Sequence, residues 1–256
     1  MPVHHSAADG FSRTADVYVR GRPDYPPQAD LWLRDTIGLA PGKRVLDLGA
    51  GTGKFTARLV RTGAEVTAVE PVAAMREQFA KGLPQVPMLS GTAEAIPLSD
   101  AGLDAVVCAQ AFHWFASPAA LAEIRRVLKP GGRLGLIWNV RDESVDWVAA
   151  LTGIMRPYES DAPRYAGGAW RRVFPAPGFT PLTETIFPHG HTGSPEHVVV
   201  DRVLSVSFIA ALPESERKQV EAKVRALIAD HPALAGRETV TLPYRTAAYS
   251  CARTGG

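Results

Sequence analysis

Short apolar runs and stretches of helical period alternate through the first half of the chain. Residues 44–48, Arg44-Val45-Leu46-Asp47-Leu48, form a brief apolar run closed by glycine, the length and punctuation of a buried strand. Gly49 to Gly53 then turn the chain. Residues 54–62 have helical spacing and 65–69 read as a second strand. Residues 72–81 are helical again, with Met75 and Phe79 four apart on one face. Third and fourth strands are expected at 86–89 and 103–109. The spacing then predicts a helix over 118–128, with Ser117 as its cap and Pro118 in its first turn. Lys129-Pro130-Gly131-Gly132 stops that helix, and 133–138 predict a fifth strand.

Five strands alternating with helices over residues 44–140 imply a parallel sheet with right-handed crossovers and helices on both faces, a doubly wound α/β fold. The flanks are less regular. Residues 11–27 are rich in Arg, Tyr and Pro and read as an arm, leading into a short helix at 28–37. Beyond 140, helices are expected at 147–155, 196–207 and 214–229, and strands at 182–187 and 240–249. The expected organisation is one domain over 1–256: an arm or lid (1–39), a core at the sheet edge (40–140), mixed core and cover (141–239), and a final strand with tail (240–256).

Composition narrows the classes. With 256 residues, 46% hydrophobic and 21% charged, the chain can bury one large core with additions. Its 28 Lys+Arg against 26 Asp+Glu give a net charge of +2, too balanced for a phosphate-backbone surface, so nucleic acid is not expected as a partner. Two cysteines, Cys108 and Cys251, supply no disulfide framework and fit a reducing compartment. No apolar stretch reaches the ~18 residues of a membrane span, and the polar start lacks a signal-peptide core. The expectation is a cytoplasmic protein with no membrane partner; the oligomeric state stays open.

Ligands of open α/β sheets sit at the carboxyl ends of the strands. The first such end is Asp47-Leu48-Gly49-Ala50-Gly51-Thr52-Gly53, whose glycines let a ligand approach the backbone. The second is Glu70, seventeen residues beyond Gly53, where a carboxylate can accept both ribose hydroxyls. Turn plus acid suggests a nucleoside. NAD enzymes use the same pair, yet their G-x-G-x-x-G fingerprint differs from the G-x-G-x-G found here, and Asp47 would repel a pyrophosphate while attracting an ammonium or sulfonium. The phosphate loop fails as well, with Leu48 in place of its first glycine and Phe55 in place of its hydroxyl.

Val45-Leu46-Asp47-Leu48-Gly49-Ala50-Gly51-Thr52-Gly53, Glu70, Gly91-Thr92-Ala93-Glu94 and Leu128-Lys129-Pro130-Gly131-Gly132 together resemble the class I S-adenosylmethionine-dependent methyltransferases, in the small-molecule branch called methyltransferase type 11. The resemblance covers about residues 40–140. It implies a Rossmann-like, seven-stranded sheet whose last strand, placed at 240–249, is antiparallel, with an N-terminal arm and a helical cap. By position, Gly49 and Gly51 would line the methionine and ribose of the cofactor, with Ala50 between them and Asp47 near its amino group. Glu70, followed by Pro71, would hold the ribose. Thr92 and Ala93, with Glu94 beside them, would border the adenine; many relatives carry Asp at the place of Thr92. Val72 and Met75 either pack on the adenine or belong to the core.

Gln110-Ala111-Phe112-His113-Trp114-Phe115 follows the fourth strand, where the family places groups near the transferable methyl. Gln110 would neighbour the methionine end. His113 could act as a base, its ordinary pKa being about 6.5, or pack with Trp114 to shape the pocket. Tyr18, in Tyr18-Val19-Arg20-Gly21-Arg22-Pro23-Asp24-Tyr25-Pro26, resembles the cofactor-facing tyrosine of a lid, or anchors the arm; Arg20 or Arg22 could meet an anionic substrate. Trp138, Asn139, Tyr158, Trp170 and Phe208 are candidates for the substrate cover. No metal is expected, because His189, His191 and His197 lack a ligand grouping and a sulfonium donor needs positioning more than activation. The function implied is methyl transfer to a small-molecule O, N or carboxylate acceptor, leaving S-adenosylhomocysteine. The alternatives are a noncatalytic S-adenosylmethionine-binding module and an NAD-dependent oxidoreductase.

Overall fold

The architecture was obtained as a computed structural model, which describes residues 22–159 and 163–255. Its strands are β1 (Arg44–Leu48), β2 (Glu65–Val69), β3 (Met88–Leu89), β4 (Leu103–Ala109), β5 (Leu128–Arg141), β6 (Thr183–Gly193) and β7 (Val240–Ala252). They lie in one sheet in the order β3-β2-β1-β4-β5-β7-β6. β1 to β5 pair in parallel, while β7 runs antiparallel to both β5 and β6. The antiparallel strand expected at 240–249 is therefore present and reaches Ala252.

Consecutive residues of a strand point to opposite faces, and in β1 and β4 both faces are covered, which is why these strands read as nearly unbroken apolar runs, whereas the edge strand β6 is polar and largely exposed. On one face Val45, Ala68, Val107 and Ile137 pack against Trp32 and Leu33 of helix α1 (Gln28–Asp35), Leu59 of α2 (Thr56–Arg61) and Phe79 of α3 (Ala73–Gly82). On the other, Leu46, Val106, Leu134 and Leu136 pack against Leu121 and Ile124 of α4 (Pro118–Val127). Ser117 caps α4 as expected, its Oγ accepting from the Ala120 amide at 3.1 Å. A third apolar cluster joins α5 (Asp146–Met155), α6 (Asp201–Leu204), α7 (Ser207–Ala210) and α8 (Glu214–Asp230) to the first half of β7 through Val240, Leu242 and Tyr244. On α8, Val220 and Val224 are fully buried in this cluster.

Three elements differ from the sequence expectation. β5 starts at Leu128, not 133: Leu103 pairs with Leu128 and Ala105 with Arg133, so Lys129-Pro130-Gly131-Gly132 is a bulge within the strand. β6 runs through Pro188 to Gly193, permitted because it is an edge strand with β7 as its neighbour, so that Pro188 can leave a ladder donor unmade. Residues 196–207 are not one helix. A wide turn at Glu196–Val200 holds the β-branched run Val198-Val199-Val200, and after α6 the Ser205 hydroxyl donates to the Arg202 carbonyl at 2.8 Å, competing with helix continuation. Among the described residues no helix is long and apolar enough to cross a membrane.

Candidate active site

β1 has β2 on one side and β4 on the other, so the chain order reverses there and a crevice opens at the carboxyl ends. A cavity occupies it, lined after β1 by Asp47, Gly49, Ala50 and Gly51, after β2 by Glu70, Pro71 and Met75, and after β4 by Gln110, Ala111, Trp114 and Phe115. Arg22, Pro23 and Tyr25 close it from the preceding segment. That segment is stitched down. Buried Arg58 of α2 donates to Asp24 at 3.0 Å, to Asp30 at 2.7 Å and to the Tyr25 carbonyl, and the Asp24 carbonyl accepts from Asn139 Nδ2 at 3.0 Å. Lys54 Nζ donates to the Arg22 carbonyl, and burial pushes its pKa down to about 8.

The turn after β1 requires its glycines. Gly49 has φ +75°, and a Cβ there would stand 2.8 Å from Ala111 Cβ. Gly51, at φ +58°, gives its amide to Glu70 Oε2 at 3.0 Å. A second tense point is Gln110, a non-glycine residue at φ +56°, the kind of outlier that clusters at functional sites.

The two carboxylates of this edge differ. Glu70 accepts from the Gly51 and Val72 amides at 3.0 and 2.9 Å, tying the turn to the start of α3; burial raises its pKa and the two amides oppose the rise. Asp47 is fully buried, and its Oδ2 accepts from Thr56 Oγ1 at 2.6 Å while Oδ1 has no partner. Burial pushes Asp47 up to about 7 against the pull of the Thr56 hydroxyl. A buried carboxylate oxygen without a donor is costly, and it lies against the cavity.

Other expected residues fall elsewhere. Thr92, Ala93 and Glu94 follow β3 but do not line this cavity: Thr92 forms a bridge with Ala95, and Ala93 is buried in the core. His113 lies in a short 3-10 turn, and its Nδ1 accepts from Trp138 Nε1 at 3.0 Å. Burial lowers its pKa to about 3, with Arg22 adding to the drop. With that lone pair engaged the neutral ring carries its hydrogen on Nε2, an environment suited to scaffolding and not to proton abstraction. Trp138 and Trp170 belong to the core, their rings 4.7 Å apart, while Tyr158 lines neither cavity described here. Tyr18 and Arg20 lie outside the described residues.

A second cavity adjoins the first, sharing Arg22, Gln110, Trp114, Asn139 and Arg202. Phe208, His113 and Trp138 line it, as does Arg141. Sequence reasoning missed Arg141 and Arg202, together with Tyr244 of the first cavity. They stand in or beside the irregular second half, and tertiary folding alone brings them to this edge.

Fold and site together define a Rossmann-like protein whose crevice at the strand ends offers bare backbone and an unpartnered acid. The methyltransferase domain family matches residues 46–136. An uncharacterized methyltransferase of Mycobacterium tuberculosis is 43% identical over 236 residues, covering 92% of each chain. An uncharacterized methyltransferase-like protein of Schizosaccharomyces pombe is 39% identical over 236 residues, covering 91% of each. In fold, the chain is similar to the YcgJ protein of Bacillus subtilis, with a TM-score of 0.57 at 19% identity, covering 90% of this chain and 99% of that one. The chain belongs to the S-adenosylmethionine-dependent methyltransferases.

Proposed function

We propose that the first cavity binds S-adenosylmethionine and that the chain transfers its methyl group to a small molecule held in the adjoining cavity. The observation that carries this reading is Asp47 Oδ1, buried, unpartnered and set against the turn Gly49-Ala50-Gly51. An ammonium or a nearby sulfonium satisfies that oxygen, whereas a pyrophosphate would be repelled by it. Glu70 keeps lone pairs for ribose hydroxyls beyond the two amides it already accepts. Pro71 and Met75 supply apolar contact for the base, and Gln110 borders the methionine end.

When bound, the sulfonium supplies an electrophilic methyl carbon that needs no activating metal. The chain's own contribution is to align the acceptor with it, exclude water and lower no barrier by proton abstraction at His113. His113 accordingly acts as a positioning residue for Trp138, and the acceptor is an oxygen, nitrogen or carboxylate nucleophile already competent at neutral pH. Titration calorimetry with S-adenosylmethionine, S-adenosylhomocysteine and NADH tests the reading. Binding of the first two and not the third is expected; a folded protein that binds neither sulfur nucleoside overturns it.

A further inference from the structure

We propose that the second cavity is an oxyanion-recognition subsite built by Arg141 and Arg202, so that the methyl acceptor carries a carboxylate or phosphate group. The inference rests on the first cavity holding the methyl donor, because the two share Gln110, Trp114, Asn139 and Arg202.

Two arginines at this edge hold unmet donors. Arg202 is 8% exposed; its Nε donates to the Tyr244 hydroxyl at 2.9 Å, and its Nη1 is buried with no partner. Arg141 has a buried Nε with no partner, and its Nη1 meets Met155 Sδ, a weak acceptor, at 3.9 Å. Among the described residues no ion pair joins either guanidinium to a carboxylate. Burial and the neighbouring Arg202 push Arg141 down to about 10, still protonated at neutral pH. A buried, unpaired guanidinium is among the most costly groups a protein can hold, and planar oxyanions are what its fork of donors fits.

The charge around the cavity points the same way. Among the described residues it is lined by five arginines, Arg22, Arg141, Arg156, Arg164 and Arg202, against two glutamates. Glu159 is paired with Arg164, and Glu143 accepts from the Thr152 hydroxyl at 3.1 Å. Such a field repels ammonium acceptors, and a cationic donor next door strengthens the repulsion. An anionic acceptor is drawn in by both.

Calorimetry on the full chain, with and without S-adenosylhomocysteine, can compare succinate, inorganic phosphate, succinamide and 1,4-diaminobutane. Succinate or phosphate is expected to bind, and their relative affinity decides between carboxylate and phosphate; the amide and the diamine are not expected to bind. Arg141→Gln should weaken oxyanion binding by about ten- to hundredfold, with partial recovery in Arg141→Lys, while S-adenosylhomocysteine binding persists and reports that the variant is folded. Arg202→Gln is the second variant, with the same direction expected. Equal binding of the amide or the diamine, no oxyanion binding, or an unchanged affinity in Arg141→Gln overturns the proposal. Arginine-dependent oxyanion binding in a protein that fails to take S-adenosylhomocysteine would instead remove the donor reading and leave the subsite standing.

Discussion

Asp47 is one residue whose charge state links binding to folding. Replacing it by Asn keeps the shape and removes the charge. Affinity for S-adenosylmethionine should fall by about ten- to hundredfold, the worth of a charge-assisted hydrogen bond, as calorimetry would read. Its pKa is raised from 3.8 to about 7, so between those values the folded chain holds a proton that the unfolded chain has released. Asp47 therefore favours folding at the acidic end, and that contribution is lost as pH rises through about 7. Asp47→Asn should gain melting temperature relative to the ligand-free parent as pH climbs across this window. The parent's affinity for the cationic ligand should drop as pH falls below about 7, accompanied by proton release on binding. His113 makes the opposite case: with its pKa lowered to about 3, the rate profile should show no inflection near 6.5, and His113→Ala should keep S-adenosylhomocysteine binding. An inflection near 6.5 that vanishes in His113→Ala would return the residue to the role of base.

At the level of elements, periodicity foretold most of the first half. The bounds of β1, β2 and β4 match the predicted runs, because strands covered on both faces are mostly apolar between their ends. The cap of α4 was equally legible in Ser117-Pro118. Ser117→Ala should cost about 1 kcal/mol and lower the melting temperature by a few degrees without changing turnover. Less legible was the bulge at Lys129-Pro130-Gly131-Gly132, since a glycine-proline tract signals interruption without saying whether a helix has ended or a strand has kinked. The broken stretch after Glu196 carried a helical pattern that its valines and Ser205 overrode.

Across the whole molecule, the lining of the first cavity was readable because its residues cluster in short segments just past the strands. Asp47, Glu70 and Gln110 all line the first cavity. The second cavity was not readable: Arg202 follows a stretch with no motif, and only the packing of α5 to α8 on β7 carries it to the sheet edge. The segment over the cavity depends on similar long-range ties. Arg58→Leu removes its bonds to Asp24, Asp30 and the Tyr25 carbonyl, and should cost about 2 kcal/mol while weakening S-adenosylhomocysteine binding. An unchanged melting temperature would show that apolar contacts such as Tyr25 on Phe55 suffice.

The sheet order also sets a timetable. β6 pairs only with β7, which is translated after it, whereas β1 to β4 find all their partners among β1 to β5, and β5 keeps one edge for β7. A ribosome that has just finished β6 thus holds an orphan ribbon beside a half-built protein already able to close its parallel strands. Limited proteolysis of chains stalled before residue 240 should cut within Thr183–Gly193 and spare Arg44–Leu48, while the first cavity still waits for Tyr244 of β7 to complete its wall.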